Sequence, residues 1–117
     1  MVSISCQNST ILDCYSTAEV TLNDWQNAGG LAGALDGTIV ENCYAYGNVY
    51  GQLKVGGFAG IIMENSSITN CKAYGNVYGQ HKVGGFAGAA ENAVIKNCLA
   101  RGNISGKGNH SYFTLNT

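Results

Sequence analysis

The chain has no proline and few charged residues. None of its 117 residues is Pro, and Asp, Glu, Lys and Arg together make up only 11%, well below the quarter that is usual in globular domains. Because proline interrupts the hydrogen-bond ladders of sheets, its absence suits uninterrupted strands. The net charge of −1 comes without any basic run, so we expect no nucleic-acid partner.

Long apolar segments are also lacking. No stretch reaches the roughly 18 consecutive apolar residues of a membrane-spanning helix, and we expect no membrane insertion. The N-terminus shows no basic segment followed by an apolar one, so no signal peptide is visible. Apolar residues nevertheless make up 45% of the chain, which argues against disorder. We expect one folded domain over residues 1–117.

Glycine, by contrast, is abundant and periodic. The chain contains 17 glycines, and one six-residue segment recurs as AGGLAG at 28–33 and as VGGFAG at 55–60 and 83–88. The glycine pairs therefore begin at Gly29, Gly56 and Gly84, at intervals of 27 and 28 residues. Collagen is excluded, because its glycine recurs at every third residue. A period of this length predicts a repeat architecture.

Four cysteines follow the same period. They are Cys14, Cys43, Cys71 and Cys98, each directly after Asp or Asn and three residues after Ile or Val. We interpret them as buried, reduced thiols that form a structural ladder. Disulfides between neighbouring repeats fit a parallel stack poorly, and one cysteine per repeat lacks the close spacing of a metal site. A disulfide between Cys6 and Cys14, which are close in sequence, stays open.

The segments between the glycine pairs favour short strands. Residues 43–46 alternate Cys or Ala with Tyr, Gly and Asn punctuate the chain at close spacing, and no helical period is present. We predict an all-β fold, a short parallel β-solenoid with about four rungs of 27–29 residues and degenerate terminal rungs. The solenoid is expected to be right-handed, as parallel crossovers are, and to form a short rod. The predicted units are 1–28, 29–55, 56–83 and 84–111, with a partial cap over 112–117.

Two further columns are expected from the same register. Asn42, Asn70 and Asn97, which directly precede cysteines, are predicted to be turn residues that form a ladder along the stack. Gly57 and Gly85 are predicted to be close-approach positions, where backbone passes near backbone or near a large neighbouring side chain. A valine at Gly57 should then destabilise the fold.

Tyrosines recur at two positions of the repeat. Tyr46 and Tyr74 are equivalent, as are Tyr50 and Tyr78. If the cysteines point inward, alternation places these side chains outward. Two interpretations follow: the rings stack on each other and stabilise the sheet, or they form a face that binds sugar rings or a partner protein.

The glycine segments resemble the GLUG motif, named for Gly, Leu, any hydrophobic residue and Gly. The motif reads GLAG at 30–33 and GFAG at 57–60 and 85–88, with Phe in place of Leu in two copies. This resemblance implies a module of secreted or surface-attached bacterial proteins, among them adhesin-like proteins and the non-catalytic regions of some immunoglobulin-A-cleaving metallopeptidases. It implies no catalytic residues of its own, and we expect no cofactor.

We therefore expect a non-catalytic structural or adhesive module that acts as a stalk or spacer, extracellular or at the cell surface, within a longer protein. The chain has no H-E-x-x-H and no G-x-S-x-G segment, so no enzyme is expected. Two alternatives stay open. One is a module that binds a glycan or a host surface protein through the Tyr columns, and the other is a subunit that associates end to end.

Overall fold

A computed structural model of the chain describes residues 5–22 and 27–106. The predicted cap over 112–117 and the side chain of Cys6 lie outside the described residues. Within them, every regular element is a strand of two to five residues, and every strand pairing is parallel. The strands follow one another around successive rungs, where a rung is one circuit of the chain about the solenoid axis.

The strands of the first two rungs are short and separated by tight turns. The first rung contains β1 (Ser5–Gln7), β2 (Thr10–Leu12), β3 (Tyr15–Ser16) and β4 (Val20–Thr21). The second contains β5 (Ala28–Gly29), β6 (Ala32–Asp36), β7 (Ile39–Glu41), β8 (Tyr44–Ala45) and β9 (Val49–Tyr50).

The next two rungs repeat this order. The third contains β10 (Lys54–Gly56), β11 (Ala59–Met63), β12 (Ser67–Thr69), β13 (Lys72–Ala73) and β14 (Val77–Gly79). The fourth contains β15 (Lys82–Gly84), β16 (Ala87–Glu91), β17 (Val94–Lys96), β18 (Leu99–Ala100) and β19 (Ile104–Gly106).

Equivalent strands of successive rungs pair in register and build five parallel sheets. Their orders are β1-β6-β11-β16, β5-β10-β15, β2-β7-β12-β17, β3-β8-β13-β18 and β4-β9-β14-β19. The prediction of an all-β parallel solenoid is therefore confirmed, as three complete five-stranded rungs preceded by a rung with four described strands. Its right hand stays a prediction.

Left-handed backbone conformations mark the corners between strands. Asn42, Asn70 and Asn97 have φ of 56°, 56° and 54°, and Asp13 in the first rung has φ of 52°. Asn and Asp tolerate this region better than other residues with a side chain. The four residues thus form a column of exposed turns just before the cysteines, in which Asn42 Nδ2 donates a hydrogen bond to Asp13 Oδ1 at 3.2 Å.

The core runs along the axis in two main columns. The larger one centres on Phe58 and Phe86, whose rings are fully buried and stack at 4.7 Å between centroids and 6° between planes. Leu35, Ile62 and the buried cysteines pack in the same cluster. A second cluster contains mainly valine from the sheet β4-β9-β14-β19 and its neighbours, namely Val20, Val49, Val55, Val77 and Val83.

The molecule is less elongated than the predicted rod. Its Cα atoms extend over 30 × 23 × 23 Å. Each rung adds only about 4.8 Å along the axis, so a few rungs rise no further than one rung is wide. The expectation of a rod is therefore wrong for this number of rungs, although the stack itself is linear.

Candidate functional site

The cysteine column lies inside the larger core cluster. Cys43, Cys71 and Cys98 are buried free thiols. Each donates a hydrogen bond to the carbonyl oxygen two residues earlier, at 3.2 Å for Cys43 and 3.3 Å for Cys71 and Cys98. The thiols therefore satisfy their donors locally while their sulfur atoms fill core volume.

Cys14 differs from the other members of the column. Its side chain is exposed, so the prediction that it is buried is wrong. The sulfur of each buried cysteine lies within 3.8 Å of a carbonyl oxygen of the preceding rung. Cys14 belongs to the first rung, and no rung precedes it among the described residues. Position in the stack, which periodicity alone does not reveal, decides its exposure.

The surroundings keep two of the buried thiols protonated. Burial raises the pKa of the Cys43 thiol, because an anion is poorly solvated there. A side-chain hydrogen bond with Cys98, together with burial, raises the pKa of Cys71. Since the thiolate is the nucleophile and metal ligand, these groups are unsuited to either chemistry. No group of three or more His, Cys, Asp or Glu side chains in the described part of the chain is arranged to hold a metal ion.

The glycine pair of the repeated segment sits where two rungs touch through their backbones. Gly57 N–H donates a hydrogen bond to the Gly85 carbonyl oxygen at 3.0 Å. A Cβ atom at Gly57 would collide with that same oxygen, and one at Gly30 would collide with the carbonyl oxygen of Gly57. Adjacent rungs can therefore stack at this turn only if the residue here has no side chain.

At the first of the two repeated tyrosine positions, the rings form a stack that a further tyrosine meets edge-on. Tyr46 and Tyr74 stack with centroids 5.1 Å apart and planes at 8°. Tyr15 meets Tyr46 edge-on at 6.3 Å, and the Lys72 ammonium lies 6.0 Å from the centroid of the Tyr44 ring. The tyrosine of this cluster that lies in the first rung, Tyr15, is the more exposed one, at 70% against 46% for Tyr46.

The tyrosines at the second position stack more closely and border a groove. Tyr50 and Tyr78 lie 4.7 Å apart with planes at 4°. The groove beside them has a volume of about 270 Å³ and is lined by Leu22, Tyr50, Gly51, Gln52, Tyr78, Gly79, Gln80 and Ser105. All of these residues are uncharged. We call this feature the Tyr–Gln groove and regard it as the candidate site.

Sequence reasoning singled out the two tyrosines of this groove but missed the glutamines. The signal was present, because the triplet Tyr-Gly-Gln occurs at 50–52 and again at 78–80. The two glutamines therefore occupy equivalent places on adjacent rungs. Leu22 and Ser105 carry no such signal, since the first and fourth rungs depart from the triplet.

The repeats of the sequence coincide with those of a known protein family. A family model described as the GLUG motif matches residues 26–50, 51–78 and 79–105, which together make up more than half of the chain. The chain belongs to the GLUG-motif family. Each match spans one circuit of the solenoid, so this GLUG-motif repeat corresponds to one rung. Neither the curated proteins nor the solved structures gave a match.

The family assignment adds no catalytic or ligand-binding residue to this GLUG-motif chain. Within the described residues, the tyrosine stacks lie at the Tyr–Gln groove and at Tyr46 and Tyr74. Among the described residues there is no helix long and apolar enough to cross a membrane.

Proposed function

We propose that this GLUG-motif chain is a non-catalytic structural and adhesive module of a bacterial surface or secreted protein, in which it acts as a stalk or spacer. The observation that carries the proposal is the in-register pairing of five parallel sheets, which lets each repeat add the same rise along one axis. Length is then set by repeat number, as a spacer requires.

Asparagine side chains also link successive rungs along the solenoid axis, through hydrogen bonds to backbone N–H groups. Asn48 Oδ1 accepts a hydrogen bond from the Asn76 backbone N–H at 2.8 Å, and Asn76 Oδ1 accepts one from Asn103 at 2.9 Å. These bonds join three consecutive rungs outside the strand ladders. They support a role in which the repeats stay in register under load.

The spacer role is tested by pulling the chain between two handles attached at its ends in an optical trap. We expect no lengthening until the rungs separate, and then cooperative unfolding. A chain that lengthens gradually from the lowest loads would contradict the spacer role.

The adhesive role is tested with beads that carry the chain, applied to layers of host cells. We expect more beads to be retained than with beads carrying a Gly57→Val variant, which has nearly the same composition but cannot stack its corner. Equal retention of both bead types would contradict adhesion and leave the spacer role untouched.

A further inference from the structure

We propose that the Tyr–Gln groove is a binding site for a neutral saccharide. The inference gives the adhesive part of the proposed function a ligand class. It is tested by binding of the protein to isolated saccharides, so that it and the spacer role can fail separately.

The first support is the chemistry of the lining. The groove offers two phenol hydroxyls, two carboxamides and the Ser105 hydroxyl, and none of its described lining residues is charged. Carboxamides donate and accept hydrogen bonds, as sugar hydroxyls do. An anionic or cationic ligand would find no opposite charge in the lining, and its desolvation would go uncompensated. Uncharged, polyhydroxylated molecules fit this set of groups.

The second support is the position of the rings. The close, parallel stacking of Tyr50 and Tyr78 covers one face of each ring. In the adjacent rungs the residues paired with them are Thr21 and Ser105, which are small and hydroxylated. The outer face of Tyr78 is thus not covered by a third ring, and an apolar sugar face can stack there beside hydroxyl and amide partners.

The third support is the fixed shape of the backbone beneath the glutamines. A Cβ atom at Gly51 would lie 2.9 Å from Ala28 Cβ, and one at Gly79 would lie 2.8 Å from side-chain carbons of Val55 and Val83. The chain therefore lies against the core directly before each Gln. Gly51 N–H also donates to the Tyr78 carbonyl oxygen at 2.9 Å. Such a preformed site loses little entropy on binding.

The lining of the Tyr–Gln groove is uncharged, whereas charged side chains lie near the other tyrosine stack. Beside Tyr46 lies Tyr44, whose ring the Lys72 ammonium approaches at 6.0 Å, and the next rung carries Arg101. The volume of the Tyr–Gln groove lies just below the range of about 300–1,000 Å³ for small-molecule pockets. It suits a short part of a saccharide chain.

The decisive variant is Ser105→Tyr. Because Ser105 pairs with Tyr78 as Tyr78 pairs with Tyr50, a tyrosine there should extend the stack, cover the free ring face and keep the fold. Wild type, Ser105→Tyr and the double variant Gln52→Ala/Gln80→Ala are applied to an array of neutral and anionic oligosaccharides. Tyr46→Ala serves as the matched control outside the groove, and thermal unfolding checks that each variant is folded.

We expect neutral oligosaccharides to bind wild type and Tyr46→Ala alike, and both groove variants at least about tenfold more weakly, which corresponds to about 1.4 kcal/mol. Titration of the ¹⁵N-labelled protein with the strongest neutral binder should shift the Gln52 and Gln80 side-chain amides first. The proposal is overturned if no neutral oligosaccharide binds wild type more tightly than the groove variants, or if anionic ones bind in preference. Should Ser105→Tyr fail to fold, the double variant Gln52→Ala/Gln80→Ala decides alone.

Discussion

At the scale of single residues, glycines of this chain serve two different needs. Gly57 has an ordinary backbone conformation but no room for a side chain, since a neighbouring carbonyl oxygen occupies the place of Cβ. Gly37 has φ of 58°, in the left-handed region, and sits in a column whose other members include Asn8 and Asn92. The first need is steric and comes from the next rung, whereas the second is conformational and can be met by Asn.

We expect Gly57→Val to lower the free energy of unfolding by about 3 kcal/mol or more, because backbone atoms of the next rung cannot yield as a side chain would. Urea denaturation followed by circular dichroism measures the change. The matched control is Gly37→Asn, which should alter stability by no more than about 0.5 kcal/mol. If Gly57→Val were as stable as the control, the steric explanation of the glycine pair would be wrong.

The cysteine column allows a second test at this scale. We expect iodoacetamide to modify Cys14 in the native protein at least about a hundredfold faster than Cys43, Cys71 or Cys98. Cys14 is exposed, while the others are buried and the pKa values of Cys43 and Cys71 are raised. Mass spectrometry of the labelled peptides separates the sites, and labelling in urea should remove the difference. Native Cys71 that reacts as fast as Cys14 would contradict the ladder.

At the scale of elements, the corner between β10 and β11 explains why Phe or Leu follows the glycine pair. The chain leaves β10 at Gly56, and Phe58 then fills the core against Phe86. In the second rung Leu31 takes the equivalent place, and its N–H donates to the Phe58 carbonyl oxygen at 2.8 Å. The same corner therefore accepts two side chains of different shape.

We expect Phe58→Ala to cost about 3–5 kcal/mol, because it removes a buried ring and leaves a cavity. Phe58→Leu should cost less than about 1.5 kcal/mol, since Leu31 shows that the corner accommodates leucine. Chemical denaturation of the two variants beside wild type measures both values. Equal losses would mean that stacking of Phe58 on Phe86, and not burial, dominates the corner.

The elements also show how far sequence reasoning reaches. The spacing of Gly56 and Gly84 and of the cysteines was enough to predict parallel stacking, because identical residues at a fixed period must occupy equivalent places. Contacts that depend on an end of the stack could not be predicted this way. Exposure of Cys14 and the open ring face beside Ser105 both arise where the repeat changes. For the Tyr–Gln groove, the sequence predicted that the two tyrosines face outward, but it was not used to predict that the glutamines lie beside them.

At the scale of the whole molecule, stability is carried by contacts between adjacent rungs. A single rung of two- to five-residue strands cannot bury its own apolar side, and the Phe, Val and Cys columns all join one rung to the next. In such a stack each added repeat contributes its own interface. The middle rungs, which are bounded on both sides, have the most fully buried core residues. Val55 and Ile62 of the third rung, for example, have no exposed surface.

We expect a second copy of residues 51–78, inserted after Tyr78, to make the protein longer and more stable. The insert corresponds to one repeat of the family and should add one rung, raising the length along the axis by about 4.8 Å. The urea midpoint should rise because one more interface between rungs forms. Small-angle scattering and denaturation measure the two effects, and a Gly/Ser insert of the same length should give neither. A lower midpoint for the repeat insert would show that the rungs are not interchangeable, because the contacts on either side of a rung would then be specific to its place in the stack.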